Sequence, residues 1–172
     1  MLGNFLLPFK TKVALKTNNA IRISEGYTQA KKIAVVFTYD DEKKRGLVNK
    51  FLDRIEEEGK EVQLLIYVPK AGKDETFDFP NFSVREMDFF GHFSSELLSE
   101  FEKNAFDYLI NVDVKSNVVI ENVLANSKAK CRVGRYQEDK QEFYELMIDF
   151  KENNYEQFLV QILHYIKNVR NG

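Results

Sequence analysis

Acidic and basic side chains recur just beyond the apolar runs of this chain, where an α/β protein gathers its chemistry. Asp40 and Asp41 follow IAVVF at 33–37, Asp113 follows the run at 108–112, and Asp149 closes LMID. Carboxylates converging on one rim could hold a hard divalent cation or move a proton. At a strand-to-helix junction the same residue type more often caps the next helix, so no metal or catalytic role is assigned to them. Lys115, Ser116, Arg135 and Tyr136 suit an anion better. The Arg135 guanidinium offers a planar donor fork to a phosphate or carboxylate, and Ser116 and neighbouring helix amides would supplement it. Together with His92 of the FFGH turn, residues Asp40, Asp41, Asp113, Lys115, Ser116, Arg135 and Tyr136 form the expected ligand-binding set.

Several familiar chemistries are disfavoured. No GxGxxG follows the first apolar run and there is no GxxxxGK[ST] loop; TYDDEKKRG instead places two acids where a phosphate would approach. His92 and His164 are the only histidines and lack HxxxH spacing, and a single cysteine, Cys131, supplies neither a thiolate-rich zinc site nor an internal disulfide. No serine lies in a GxSxG elbow, and a Cys131–His92 nucleophilic pair is disfavoured because Cys131 opens an apolar strand. No cofactor is expected.

The elements that must carry these residues can be read from periodicity. The central stretch is FDYLINVDVKSNVVIENVLANSKAKCRVGRY, residues 106–136. Its first part is a short apolar run suited to a strand covered on both faces. Val119, Ile120, Val123 and Leu124 then give a helical face, with Asp113 or Ser116 available to cap its start, and a second strand begins at Cys131. The crossover has room for a helix, so these two strands should be parallel. Upstream, IAVVF is a central strand, Val48, Phe51, Leu52 and Ile55 mark a helix stopped by Gly59, and 62–68 is the next strand. Phe82, Val84 and Met87 suggest a short edge strand after the loop KAGKDETFDFPNF. Leu97, Leu98, Phe101 and Ala105 mark a helix, 146–150 a last strand, and Tyr155, Phe158, Leu159, Ile162, Leu163 and Ile166 a final helix covering the sheet. Its basic end, Lys167 and Arg170, suits the helix dipole. The expected architecture is a three-layer Rossmann-like α/β domain over 31–170, with a mostly parallel five- or six-stranded sheet. A basic appendage, 1–30, precedes it; there Phe5, Leu6, Phe9 and Val13 could line a short helix limited by Pro8.

Composition bounds the partners. The 172 residues are 44% hydrophobic and 30% charged, with fifteen Phe, eight Tyr and no Trp, which fits one domain with a bulky aromatic core. The net charge of −2 makes nucleic acid an unlikely partner. Charge is uneven: Lys10, Lys12, Lys16, Arg22, Lys31 and Lys32 against Glu25 give residues 1–32 a charge of +5, leaving −7 for the remainder. That basic opening could meet an anionic membrane, or be solvated or docked on the acidic body. The aromatics Phe77, Phe79, Phe82, Phe89 and Phe90 could form a protein-binding patch or fold back over the sheet edge, the favoured outcome. Acids at 74, 75, 78, 86 and 88 argue against RNA there. No apolar run is long enough for a transmembrane segment, and cytoplasmic residence is expected.

Residues 106–136 resemble the strand-helix-strand stretch in the amino-terminal domain of heptosyltransferase-like glycosyltransferases. There a YDLVIDL-type strand precedes a helix and an RVG-type strand, outlined here by Phe106–Val112 and Ala129–Gly134. That resemblance implies a glycosyltransferase-like enzyme, which stands with a divalent-metal-assisted enzyme at the strand-end carboxylates as the alternative reading. Through KKIAVVFTYDD, FFGHF and FDYLINVDVKSN…KCRVGRY the chain is also similar to a small uncharacterised family of single-domain α/β proteins from Bacteroidota. This implies a bacterial cytoplasmic protein and brings no activity with it. The expected function is therefore noncatalytic association with a protein partner, a second copy of the chain, or a small anionic ligand.

Overall fold

A computed structural model describes residues 2–72, 75–152 and 154–169. Asp74 and Arg170, assigned above to the acidic loop and the basic helix end, lie outside the described residues. Strands β1 (Lys32–Thr38), β2 (Glu61–Tyr67), β3 (Asn81–Phe82), β4 (Tyr108–Asn111), β5 (Cys131–Arg135) and β6 (Leu146–Ile148) form one sheet. Their order is β3-β2-β1-β4-β5-β6 and every pairing is parallel. The four runs nominated from sequence thus pair as expected in a three-layer α/β fold.

Helices cover both faces. α2 (Glu42–Glu57) and α5 (Tyr155–Lys167) bury Val48, Phe51, Ile55, Phe158, Ile162 and Ile166 against Ile33, Val35, Phe37, Tyr108, Ile110 and Val133. On the other face, α3 (Glu96–Lys103) and α4 (Val118–Asn126) bury Leu98, Phe101, Ile120 and Val123 against Ala34, Val36, Leu65 and Leu109. The strands are buried on both sides, which is why they read as unbroken apolar runs. From β1 the chain winds one way through α2 to β2, and from β4 the opposite way through α4 to β5. Right-handed crossovers in opposite directions put α2 and α4 on opposite faces, so a crevice opens between the carboxyl ends of β1 and β4.

Local structure departs from the sequence reading in three places. The edge strand expected through Met87 stops at Phe82, because Ser83 and Glu86 form a capping box that starts a 3-10 turn over Val84–Glu86. The first helix, α1 (Leu2–Thr17), runs through Pro8 and packs on α4 by its other side: Leu7 and Thr11 are buried, while Phe5, Phe9 and Val13 face outward. The aromatic loop divides: Phe79 and Phe82 are buried, and Phe77 meets Tyr39 edge-on and packs tilted against Phe79, whereas Phe89 and Phe90 are exposed. Gly59 ends α2 as expected, in a left-handed conformation with φ 77°.

One glycine is fixed by close approach. A Cβ at Gly134 would lie 2.3 Å from the Tyr144 ring, whose hydroxyl accepts from the Asn111 amide at 2.9 Å. Gly134→Ala should therefore lower stability by about 2 kcal/mol, since neither the strand nor the packed ring can give way. Urea denaturation checks this, and combining it with Tyr144→Ala should recover part of the loss beyond the sum of the two single effects.

Candidate functional site

The crevice is built from the ends of β1 and β4. Asp113, two residues past β4, is buried and turns back to β1, accepting from the Thr38 amide at 3.0–3.1 Å and the Thr38 hydroxyl at 2.7 Å. The Lys44 ammonium, from the first turn of α2, reaches Asp113 at 2.8 Å, Asp40 at 2.7 Å and the Thr38 carbonyl at 2.8 Å. It also sits above the rings of Phe37 and Tyr155, at 5.5 and 5.1 Å. Burial raises the Asp113 pKa, opposed by Lys44 and by the Thr38 hydrogen bonds. Asp113 therefore neither caps α4 nor stands free. The cap is Asn117, which accepts from the Val119 amide at 2.9 Å and donates to Thr38 Oγ1 at 3.0 Å, while Ser116 donates to Glu121.

Two adjoining clefts share Asp40 and Lys44. The smaller, about 460 Å³, is lined by Thr38, Asp40, Lys44 and Asp113–Asn117. Its two acids and two lysines balance; of these Lys115 is exposed and enters no ion pair among the described residues. The larger, about 730 Å³, adds Asp41, Lys43, Leu47, Glu152, Asn154, Tyr155 and Glu156, and its four acids outnumber its two lysines. The Tyr155 hydroxyl is buried beside it without a hydrogen-bond partner among the described residues. Burial, then the charges of Asp113 and Asp40, hold its pKa well above the ordinary range, so it remains a neutral donor.

The other expected site residues are distributed as follows. Asp41 caps α2, accepting from the Lys44 amide at 2.7 Å. Arg135 lies at the same end of the sheet, but donates to the Phe150 and Val114 carbonyls, each at 2.7 Å, tying β4, β5 and β6 together. Tyr136 is exposed at that end, with its amide donating to the Ile148 carbonyl. Asp149 is exposed and lies 4.0 Å from Lys151. His92 lines neither cleft. It faces Asp88 at 3.3 Å and borders a separate cavity of about 230 Å³ with Lys10, Ser99, Glu102 and Asn126. Cys131 belongs to the core on the α2 and α5 side, where burial pushes its thiol pKa up to about 11, and makes no pair with His92. Tyr155 and Asn117 were not anticipated as site residues. Asn117 carried a readable clue as the last capping residue before an apolar helical run, whereas Tyr155 read only as part of a helix face.

Fold and site together define a doubly wound, all-parallel α/β protein with a polar cleft at the reversal of strand order. Residues 4–169 match a family of unknown function (DUF6913), to which the chain belongs. Neither a curated protein nor a solved structure matches the chain. Among the described residues no helix is long and apolar enough to cross a membrane.

Asp113→Ala should cost about 3 kcal/mol, because it leaves a half-buried ammonium short of one partner. Asp113→Asn should cost less, since its amide oxygen still accepts from Thr38. Glu102 gives a pH test: burial raises its pKa from 4.5 to about 8. The folded state then holds this proton more tightly than the unfolded state, so the wild type loses stability as pH rises from 4.5 towards 8. Glu102→Gln should raise the melting temperature at pH 8 and leave it unchanged near pH 4.

Proposed function

We propose that this is a noncatalytic bacterial cytoplasmic protein whose switch-point cleft binds a small ligand carrying one anionic group. The anionic group sits at the Lys115–Asn117 turn, where the first amides of α4 and the unpaired Lys115 favour negative charge. The neutral, hydroxyl-bearing body extends into the larger, acid-lined cleft, where one of its oxygens accepts from Tyr155. The observation that carries this reading is the buried Tyr155 hydroxyl, left without a partner beside an open polar cleft. Such a group costs stability in the free protein and is relieved when a ligand accepts from it.

Binding without turnover is supported by how the titratable groups of the rim are engaged. Asp40 and Asp113 both hold Lys44, Asp41 caps α2, and Arg135 is spent on backbone carbonyls. A transferase-like enzyme would need one of these as a free base or nucleophile. Asp40, Asp113 and Asp149 also fail to gather: no group of three or more His, Cys, Asp or Glu residues is arranged to hold a metal ion among the described residues.

Titrating isotope-labelled protein with inorganic phosphate, sugar phosphates and nucleoside monophosphates tests the reading by amide chemical shifts. Shifts confined to 38–44, 113–119 and 154–156 are expected, with Lys115→Ala weakening the tightest binder by about tenfold. Tyr155→Phe should stabilise the free protein yet weaken binding of that compound. Saturable shifts elsewhere, or none at millimolar ligand, would reject the proposal.

A further inference from the structure

The outward face of α1 is apolar, cationic and free of acids. Phe5 is 81% exposed and Phe9 68%, and with Val13 they make a stripe at i, i+4 and i+8. Lys12 and Lys16 point out on the same side, and neither enters an ion pair among the described residues. The first acid in the chain is Glu25. The helix does not need this stripe for its own docking, because Leu7 and Thr11 already seal its inner edge and Thr11 accepts from the Asn122 amide at 3.0 Å.

A second apolar projection stands beside the helix. Phe89 and Phe90, each 59% exposed, pack edge to face at the tip of the Asp88–His92 turn. Gly91 holds that turn with φ 79°, and Asp88 accepts from the Phe90 and His92 amides at 2.8 Å, directing its charge into the turn. Lys10 and Gly91–Phe93 border the same 230 Å³ cavity, which places the turn next to the α1 edge. The Lys10 ammonium there has no hydrogen-bond partner among the described residues.

From this face we infer that the protein docks peripherally on an anionic phospholipid surface. The Phe5–Phe9–Val13 stripe and the Phe89–Phe90 tip enter the boundary between headgroups and acyl chains. Lys12 and Lys16 meet the headgroup charge, their methylene stems lying along the apolar stripe. The charge of the surface selects this occupant. A second copy placed face to face would bring Lys12 and Lys16 of both helices together, whereas a bilayer rich in phosphatidylserine complements them and accepts aromatic side chains.

Vesicle flotation of the full chain tests it. Wild type should float with phosphatidylcholine vesicles containing about 30% phosphatidylserine, not with phosphatidylcholine alone, and should be released as salt rises from about 0.05 to 0.5 M. Phe5→Ala with Phe9→Ala, and separately Lys12→Glu with Lys16→Glu, should each weaken partition at least about tenfold while keeping the wild-type melting temperature. Light scattering without lipid should show a monomer for all three proteins. Wild type left unbound by anionic vesicles, or flotation indifferent to both double variants, would overturn the inference. So would a lipid-free dimer that the phenylalanine variants abolish, since a second copy would then cover the face.

Discussion

A carboxylate at each end of β4 fastens it to β1, and the rest of the molecule depends on that double attachment. At the amino end Asp107 accepts from the Lys31 and Lys32 amides at 2.6 and 2.9 Å and pairs with Lys130 at 2.8 Å. At the carboxyl end Asp113 does the corresponding work with Thr38 and Lys44. The junction between β1 and β4 is where the winding reverses, so no single crossover helix bridges these neighbours, and side chains reinforce their backbone ladder. The two carboxylates differ in their balance. Burial opposes ionisation of both, but at Asp107 the hydrogen bonds from Lys130 and from the Lys32 and Lys31 amides prevail and its pKa falls below 3.8. At the more deeply enclosed Asp113, burial prevails and the pKa rises.

This attachment also determines what the rim can do. Of the acids that follow strands, Asp113 joins β4 to β1, Asp40 shares Lys44 with it and Asp41 caps α2, whereas Asp149 stays exposed. What remains at the rim is the exposed Lys115, the start of α4 and the buried Tyr155 hydroxyl beside the larger cleft. In the neighbouring strand the same economy applies: Arg132 is buried, held by Glu145 at 2.7 and 3.1 Å, and its other donors reach the Leu124 and Glu142 carbonyls. Asp107, Asp113 and Arg132 are each paired and multiply hydrogen-bonded, which offsets their desolvation.

The sheet was legible because strands buried on both faces leave unbroken apolar runs, and the start of β5 at Cys131 was placed to the residue. Gly59 and the α5 face were legible for comparable local reasons. The short β3 was misjudged where apolar alternation at Phe82, Val84 and Met87 competed with the capping box at Ser83 and Glu86, and the local hydrogen bonds prevailed. The α1 face was assigned to the larger residues Phe5 and Phe9, although the smaller pair Leu7 and Thr11 fits the groove against α4. In the site, the residues at the strand ends were identifiable by position, but their partners were not. Whether Asp113 caps a helix, binds a ligand or takes Lys44 depends on contacts 69 residues apart, which periodicity does not encode.

The central claim is that Lys44 and Asp113 act as one coupled pair joining β1 to β4. A double-mutant cycle between Lys44→Met and Asp113→Asn, followed by urea denaturation, measures that coupling directly. The account predicts a coupling energy of about 2 kcal/mol, whereas additivity of the two single effects to within about 0.3 kcal/mol would contradict it.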